Sequence, residues 1–77
     1  MEEKLQLIMV DIFNVPMNQI TVETKVETIA SWDSFNHINL TLALEKEFRV
    51  IFSPEEIITM VSFPEITAIL KQKLPAV

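Results

Sequence analysis

The chain contains no glycine. Average usage is ~7%, so about five would be expected in a chain of this length. Two-residue hairpin turns, phosphate-cradling loops and dinucleotide fingerprints all rely on glycine at special backbone angles. No GxGxxG, Walker or GxSxG motif is present. The function classes that depend on those loops fall away with them.

At 77 residues the chain reads as one domain, residues 1–77. A fold this small buries only ~60% of the surface its unfolded chain exposes. A hydrophobic content of 49% therefore supplies a dense core. The absence of cysteine excludes a disulfide scaffold, a zinc ribbon and a thiolate nucleophile. Six Lys and Arg against eleven Asp and Glu give a net charge of −5. That balance argues against nucleic acid and anionic membranes, and for partners with basic patches. The opening Met1-Glu2-Glu3-Lys4 lacks the basic segment of a signal peptide. The longest apolar run, Leu7 to Val10, is far short of the ~20 residues of a membrane span. The expectation is a soluble, cytoplasmic chain.

Periodicity predicts four helices. Leu5, Ile8, Met9 and Ile12 share one helical face between about Glu2 and Phe13. Asn14 and Pro16 end that helix. From Asn14 to Asp33 the pattern is irregular, a long loop for so small a domain and a hint of function. Val15, Ile20, Val22, Val26, Ile29 and Trp32 are its candidate attachments to the core. Thr24-Lys25-Val26-Glu27 has the form of a capping box, which predicts a short helical turn. Ser34 to Phe48 forms the clearest helix, with two apolar stripes. One runs through Leu40, Leu44 and Phe48, the other through Phe35, Ile38 and Leu42. A two-striped helix is either sandwiched between neighbours or offers its second face to something else. Ser53-Pro54-Glu55-Glu56 is a strong start for a short third helix to about Met60. Ser62-Phe63-Pro64-Glu65 repeats the device for a last helix to about Leu74, stopped by Pro75. No segment reads as a strand. The fold class is all-α, a four-helix bundle of three longer helices and one short one.

Catalytic groups are sparse. His37 is the only histidine, and Asp33 four residues earlier can meet it on one helical face. No oriented nucleophile or second metal-binding set accompanies them, so no catalytic residue and no metal site is assigned. Glu45, Glu47, Glu55 and Glu56 read as a solvated acidic face that a basic partner can use. On local grounds Ser34 is a helix cap. The same location leaves its hydroxyl accessible at a helix N-terminus, where an attached phosphate ester is stabilised.

The stretch Asp33-Ser34-Phe35-Asn36-His37-Ile38-Asn39-Leu40, followed by Leu44-Glu45-Lys46-Glu47-Phe48, resembles the acyl carrier protein family. That family opens its second helix with Asp-Ser-Leu and closes it with Leu-Glu-x-x-Phe. Phe52-Ser53-Pro54-Glu55-Glu56 is similar to the start of its short third helix, and Ile66 to Leu74 to its last helix. The resemblance covers nearly the whole chain. It implies a carrier and not an enzyme. Ser34 would receive 4′-phosphopantetheine from coenzyme A through a phosphopantetheinyl transferase acting with Mg²⁺. Asp33 would serve that transferase's interface. The arm's thiol would carry acyl groups as thioesters, so a chain without cysteine can run thioester chemistry. The second helix would be the recognition helix for acyl-loading and acyl-using enzymes. Phe35, Ile38, Asn39, Leu42, Glu45, Glu47, Glu55 and Glu56 are the positions implied for docking, on a monomer. Some of Phe35, Ile38 and Leu42, with residues of the third helix, would line a cleft for the acyl group.

The chain departs from the family pattern in places. Phe35 replaces the usual Leu, and Asn36, His37 and Asn39 stand where members of fatty acid synthesis tend to have acids. Ser31 and Arg49 stand where relatives often have Gly. The resemblance points to freestanding carriers of a specialised pathway, such as polysaccharide or secondary metabolite synthesis, beside those of fatty acids and polyketides. An aminoacyl or D-alanyl carrier fits the same pattern. The alternative from a different class is a cofactor-free acidic helical interaction module that binds through Phe35, Ile38 and Leu42.

Overall fold

A computed structural model describes residues 1–74. Its four helices are α1 (Glu2–Phe13), α2 (Ser34–Phe48), α3 (Pro54–Thr59) and α4 (Phe63–Lys73). Among the described residues there is no strand, only one isolated antiparallel bridge between Lys25 and Ser62. This is the all-α four-helix architecture that periodicity predicts. The expected stop at Pro75 lies outside the described residues. No described helix is long and apolar enough to cross a membrane.

The core is built from one stripe of each long helix. α1 contributes Leu5, Met9 and Phe13, and α2 contributes Leu40 and Leu44. Phe63, Ile66 and Leu70 come from α4. The buried line of α1 therefore runs at i, i+4, i+8, with Ile8 and Ile12 half-buried at its edges. Ile20, Ile29 and Trp32 pin the long loop into the same core. Val22 does not join them and is 70% exposed. The turn there is organised by Thr24, whose buried hydroxyl accepts from Thr21 N at 2.7 Å and donates to the Gln19 carbonyl at 2.9 Å. Satisfying that hydroxyl inside leaves Val22 at the exposed tip.

The capping signals are partly corrected. The expected turn forms at Val26–Thr28, and a second 3₁₀ turn, unforeseen, at Met17–Gln19. Thr24 does not cap the first of these. Lys25 holds the cap position, and its N–H donates to Thr28 Oγ1 at 3.0 Å. At α3 the box forms as read: Glu56 N donates to Ser53 Oγ, and Ser53 N to Glu56 Oε1. That backbone bond and the neighbouring Lys73 hold the Glu56 carboxyl below its usual range. Ser62 caps α4 by accepting from Glu65 N, while its hydroxyl donates to the Glu65 carboxylate.

The bridge ties two remote segments together. Val26 N donates to the Val61 carbonyl at 2.9 Å, and Phe63 N donates to the Thr24 carbonyl at 2.8 Å. The long loop is thus fastened to the α3–α4 connection and not left free.

Without glycine, two helices end on side-chain-bearing residues in the left-handed region. Asn14 closes α1 at φ 56° and Arg49 closes α2 at φ 56°. Asn tolerates this conformation well, whereas Arg carries the Cβ clash. Arg49→Gly is expected to stabilise the fold by about 1 kcal/mol in urea denaturation. A clear loss of stability would show that Arg49 contributes something its backbone does not reveal.

Candidate functional site

The N-terminus of α2 is set by a chain of local bonds. The Ser31 hydroxyl donates to the Phe13 carbonyl at 2.7 Å, which fastens the loop to the end of α1. The Ser31 carbonyl then accepts from Asp33 N at 3.0 Å and from Asn36 Nδ2 at 2.8 Å. Asp33 is left extended (φ −107°, ψ −177°), and its Oδ1 accepts from Asn36 N at 2.8 Å. Asp33, and not Ser34, is therefore the cap. Two adjacent cap-forming residues made the sequence ambiguous. The Ser31–Asn36 bond resolves it by fixing which of them stays outside the helix. Ser34 becomes the first helical residue, exposed and released from capping.

Beside Ser34 lies a groove of about 410 Å³ between α2 and α3, in the range of small-molecule sites at ~300–1,000 Å³. Ser34, His37 and Ile38 line it from α2, and Ile57 and Ile58 from α3. Trp32, Asp33, Val26 and Val61 complete the wall. Val26 and Val61 are joined by the bridge's backbone hydrogen bond, Val26 N donating to the Val61 carbonyl, so the loop's fastening also forms the groove.

His37 sits on the groove with both ring nitrogens occupied. Trp32 Nε1 donates to His37 Nδ1 at 3.0 Å. His37 Nε2 lies 2.8 Å from the Ile57 carbonyl. An indole N–H only donates and a carbonyl only accepts, so the neutral ring is the Nε2–H tautomer. Imidazole ¹⁵N shifts are expected to report that tautomer, and a neutral Nδ1–H pattern would contradict it. The anticipated meeting of Asp33 and His37 side chains does not occur. Only the Asp33 backbone carbonyl takes part, accepting from His37 N at 2.8 Å.

The other sequence-assigned positions divide into two groups. Phe35, Ile38 and Leu42 are exposed at 74%, 50% and 58%, so the second stripe of α2 faces outward. Ile58, at 73% exposure, extends this apolar surface from α3. Asn39 lies on the same helix, its amide 3.3 Å from Asn36 Oδ1. Of the acids, Glu47 and Glu55 are exposed and Glu45 and Glu56 half-buried. Glu45 Oε2 accepts from Phe52 N at 3.0 Å, holding the α2–α3 connection. Glu47 pairs with Lys4 of α1 at 3.1 Å, and Glu56 with Lys73 of α4 at 2.9 Å. Among the described residues Glu55 makes no ion pair.

Ile57, Ile58, Val61 and Val26 are groove residues that the motif did not carry, whereas Trp32 stands directly before it. The lone Trp and lone His, five residues apart, are complementary as donor and acceptor, which is a sequence signal for their bond alone. Among the described residues no group of three or more His, Asp or Glu is arranged to hold a metal ion. No protein-family model matches the chain, and no curated protein matches it.

Proposed function

We propose that the chain is a phosphopantetheine-dependent acyl carrier protein, with Ser34 the attachment residue. The observation that carries this reading is the position of Ser34. Its exposed hydroxyl stands at the first residue of a capped 15-residue helix, at the mouth of an apolar groove. The residues present fit the group. A phosphate ester on Ser34 lies at the positive end of α2, next to backbone N–H groups that the helix leaves unpaired. Asp33 is engaged in capping through Oδ1 and still exposed to an approaching transferase. The bound group would supply the thiol that this cysteine-free chain lacks.

Phe35, Ile38 and Leu42 then serve as the docking surface for acyl-loading and acyl-using enzymes. Glu45 and Glu56 are held by bonds within the fold, so contact with basic partners rests on apolar anchoring, on Glu55 and on Glu47, whose pair with Lys4 is solvent-exposed. The carrier acts as a cytoplasmic monomer. An aminoacyl cargo such as D-alanine is the variant of this reading to distinguish by its mass.

Coenzyme A, Mg²⁺ and a broad-specificity phosphopantetheinyl transferase are expected to add the mass of one phosphopantetheine. An unchanged intact mass, beside a control carrier that is modified, overturns the reading. The exposed apolar stripe favours the second reading in that event, a cofactor-free interaction module.

A further inference from the structure

The groove beside Ser34 has a polar bond across it. Ser34, His37 and Ile38 form one wall and Ile57 and Ile58 the other. His37 Nε2–H donates from the first wall to the Ile57 carbonyl in the second, at 2.8 Å. That carbonyl belongs to the last turn of α3, where helix carbonyls lack an intrahelical partner of their own. His37 satisfies it with the help of Met60 N at 3.3 Å. Trp32 in turn fixes the ring by donating to Nδ1, and Trp32 is itself held against Phe13 with ring centroids 4.9 Å apart. The imidazole is therefore locked on both sides.

We propose that His37 determines which cargo the carrier shelters. Its bond to the Ile57 carbonyl closes the passage between α2 and α3, so only acyl groups short enough to lie in the outer groove are covered. The proposal rests on the carrier reading of Ser34. An alkyl chain entering the bundle between these helices has to break the bond and leave the His37 Nε2–H without its acceptor against hydrocarbon, which is unfavourable. The interior offers no compensation, since Leu40, Leu44, Met60 and Ile66 are already fully buried. The outer groove does offer apolar contact, through Ile38, Ile58, Val61 and Val26. Cargo lying there binds only the folded state and raises its stability. Longer cargo gains nothing beyond the groove's end.

The test loads the wild-type chain with butyryl-, octanoyl- and hexadecanoyl-phosphopantetheine and records the unfolding temperature and the half-life of the thioester in hydroxylamine. The Tm and half-life are expected to rise from butyryl to octanoyl and then level off. Continued rise to hexadecanoyl overturns the proposal while leaving the carrier reading in place. Failure of Ser34 to accept any of the three overturns both. His37→Val is expected to remove the plateau, so that hexadecanoyl stabilises more than octanoyl. His37→Gln, which keeps an N–H donor toward Ile57, is expected to restore it. A plateau unchanged in His37→Val overturns the assignment to His37. Should that variant lack helical circular dichroism, Trp32→Phe replaces it, since it frees the ring and keeps the bulk. The plateau is then expected to weaken, and its full retention counts against the proposal.

Discussion

Ser34→Ala is expected to abolish phosphopantetheine addition completely and to leave the unfolding midpoint where it was. On the carrier reading the ester forms on the Ser34 oxygen, and alanine removes that oxygen. The fold needs little from Ser34. The side chain is exposed, and the cap belongs to Asp33. A surface change of this kind stays within about 0.5 kcal/mol. Asp33→Ala is expected to cost about 1 kcal/mol, because the Asn36 N–H loses its acceptor at the helix start. Urea denaturation of the two variants separates the roles. A loss in Ser34→Ala equal to that in Asp33→Ala would return the cap to the serine.

The largest stability effect is expected at Trp32. Its side chain is 5% exposed, packs on Phe13 of α1 and donates to His37 of α2. Truncating a buried aromatic costs about 3–5 kcal/mol. At roughly 0.05–0.15 kcal/mol per residue, that is a large share of what a domain this small possesses. Trp32→Ala is therefore expected to leave the chain largely unfolded or barely cooperative. Trp32→Phe keeps most of the packing, loses the N–H, and is expected to cost about 1 kcal/mol through the unpaired bond. Denaturation followed by far-ultraviolet circular dichroism measures both. A cost below 1 kcal/mol for Trp32→Ala would show that the long loop is not part of the cooperative core.

The helices were legible because their signals are local. Apolar spacing and Asp-Ser, Ser-Pro-Glu-Glu and Ser-Phe-Pro-Glu starts depend only on near neighbours, and α1 and α2 fall where those signals put them. The local signal made Ser34 the cap, a place that Asp33 takes instead, and left the Phe35, Ile38 and Leu42 stripe either sandwiched or outward; the structure turns it outward. The groove was not legible. It is closed by contacts that span long stretches of sequence, Val26 with Val61 and His37 with Ile57. Nothing in either partner alone announces the other. The intramolecular partners of the acids were hidden for a related reason. Charge clustering describes Glu45, Glu47 and Glu56 well enough, but it says nothing of the amide or lysine that each one meets.

The fastenings around α3 also define how the protein can move. Its approach is held by Glu45 on Phe52 N, and its exit by Val26 N on the Val61 carbonyl. A six-residue helix anchored at both ends cannot lift away like a flap without releasing one anchor. A turn about its own long axis is opposed as well, by the Ile57–His37 bond and the Glu56–Lys73 pair. Such a turn changes how far Ile58 leans over the groove and strains the Ile57 link to His37. Opening the groove on the α3 side is therefore coupled to the release of one of these bonds, and the short helix acts as a latch held at several points.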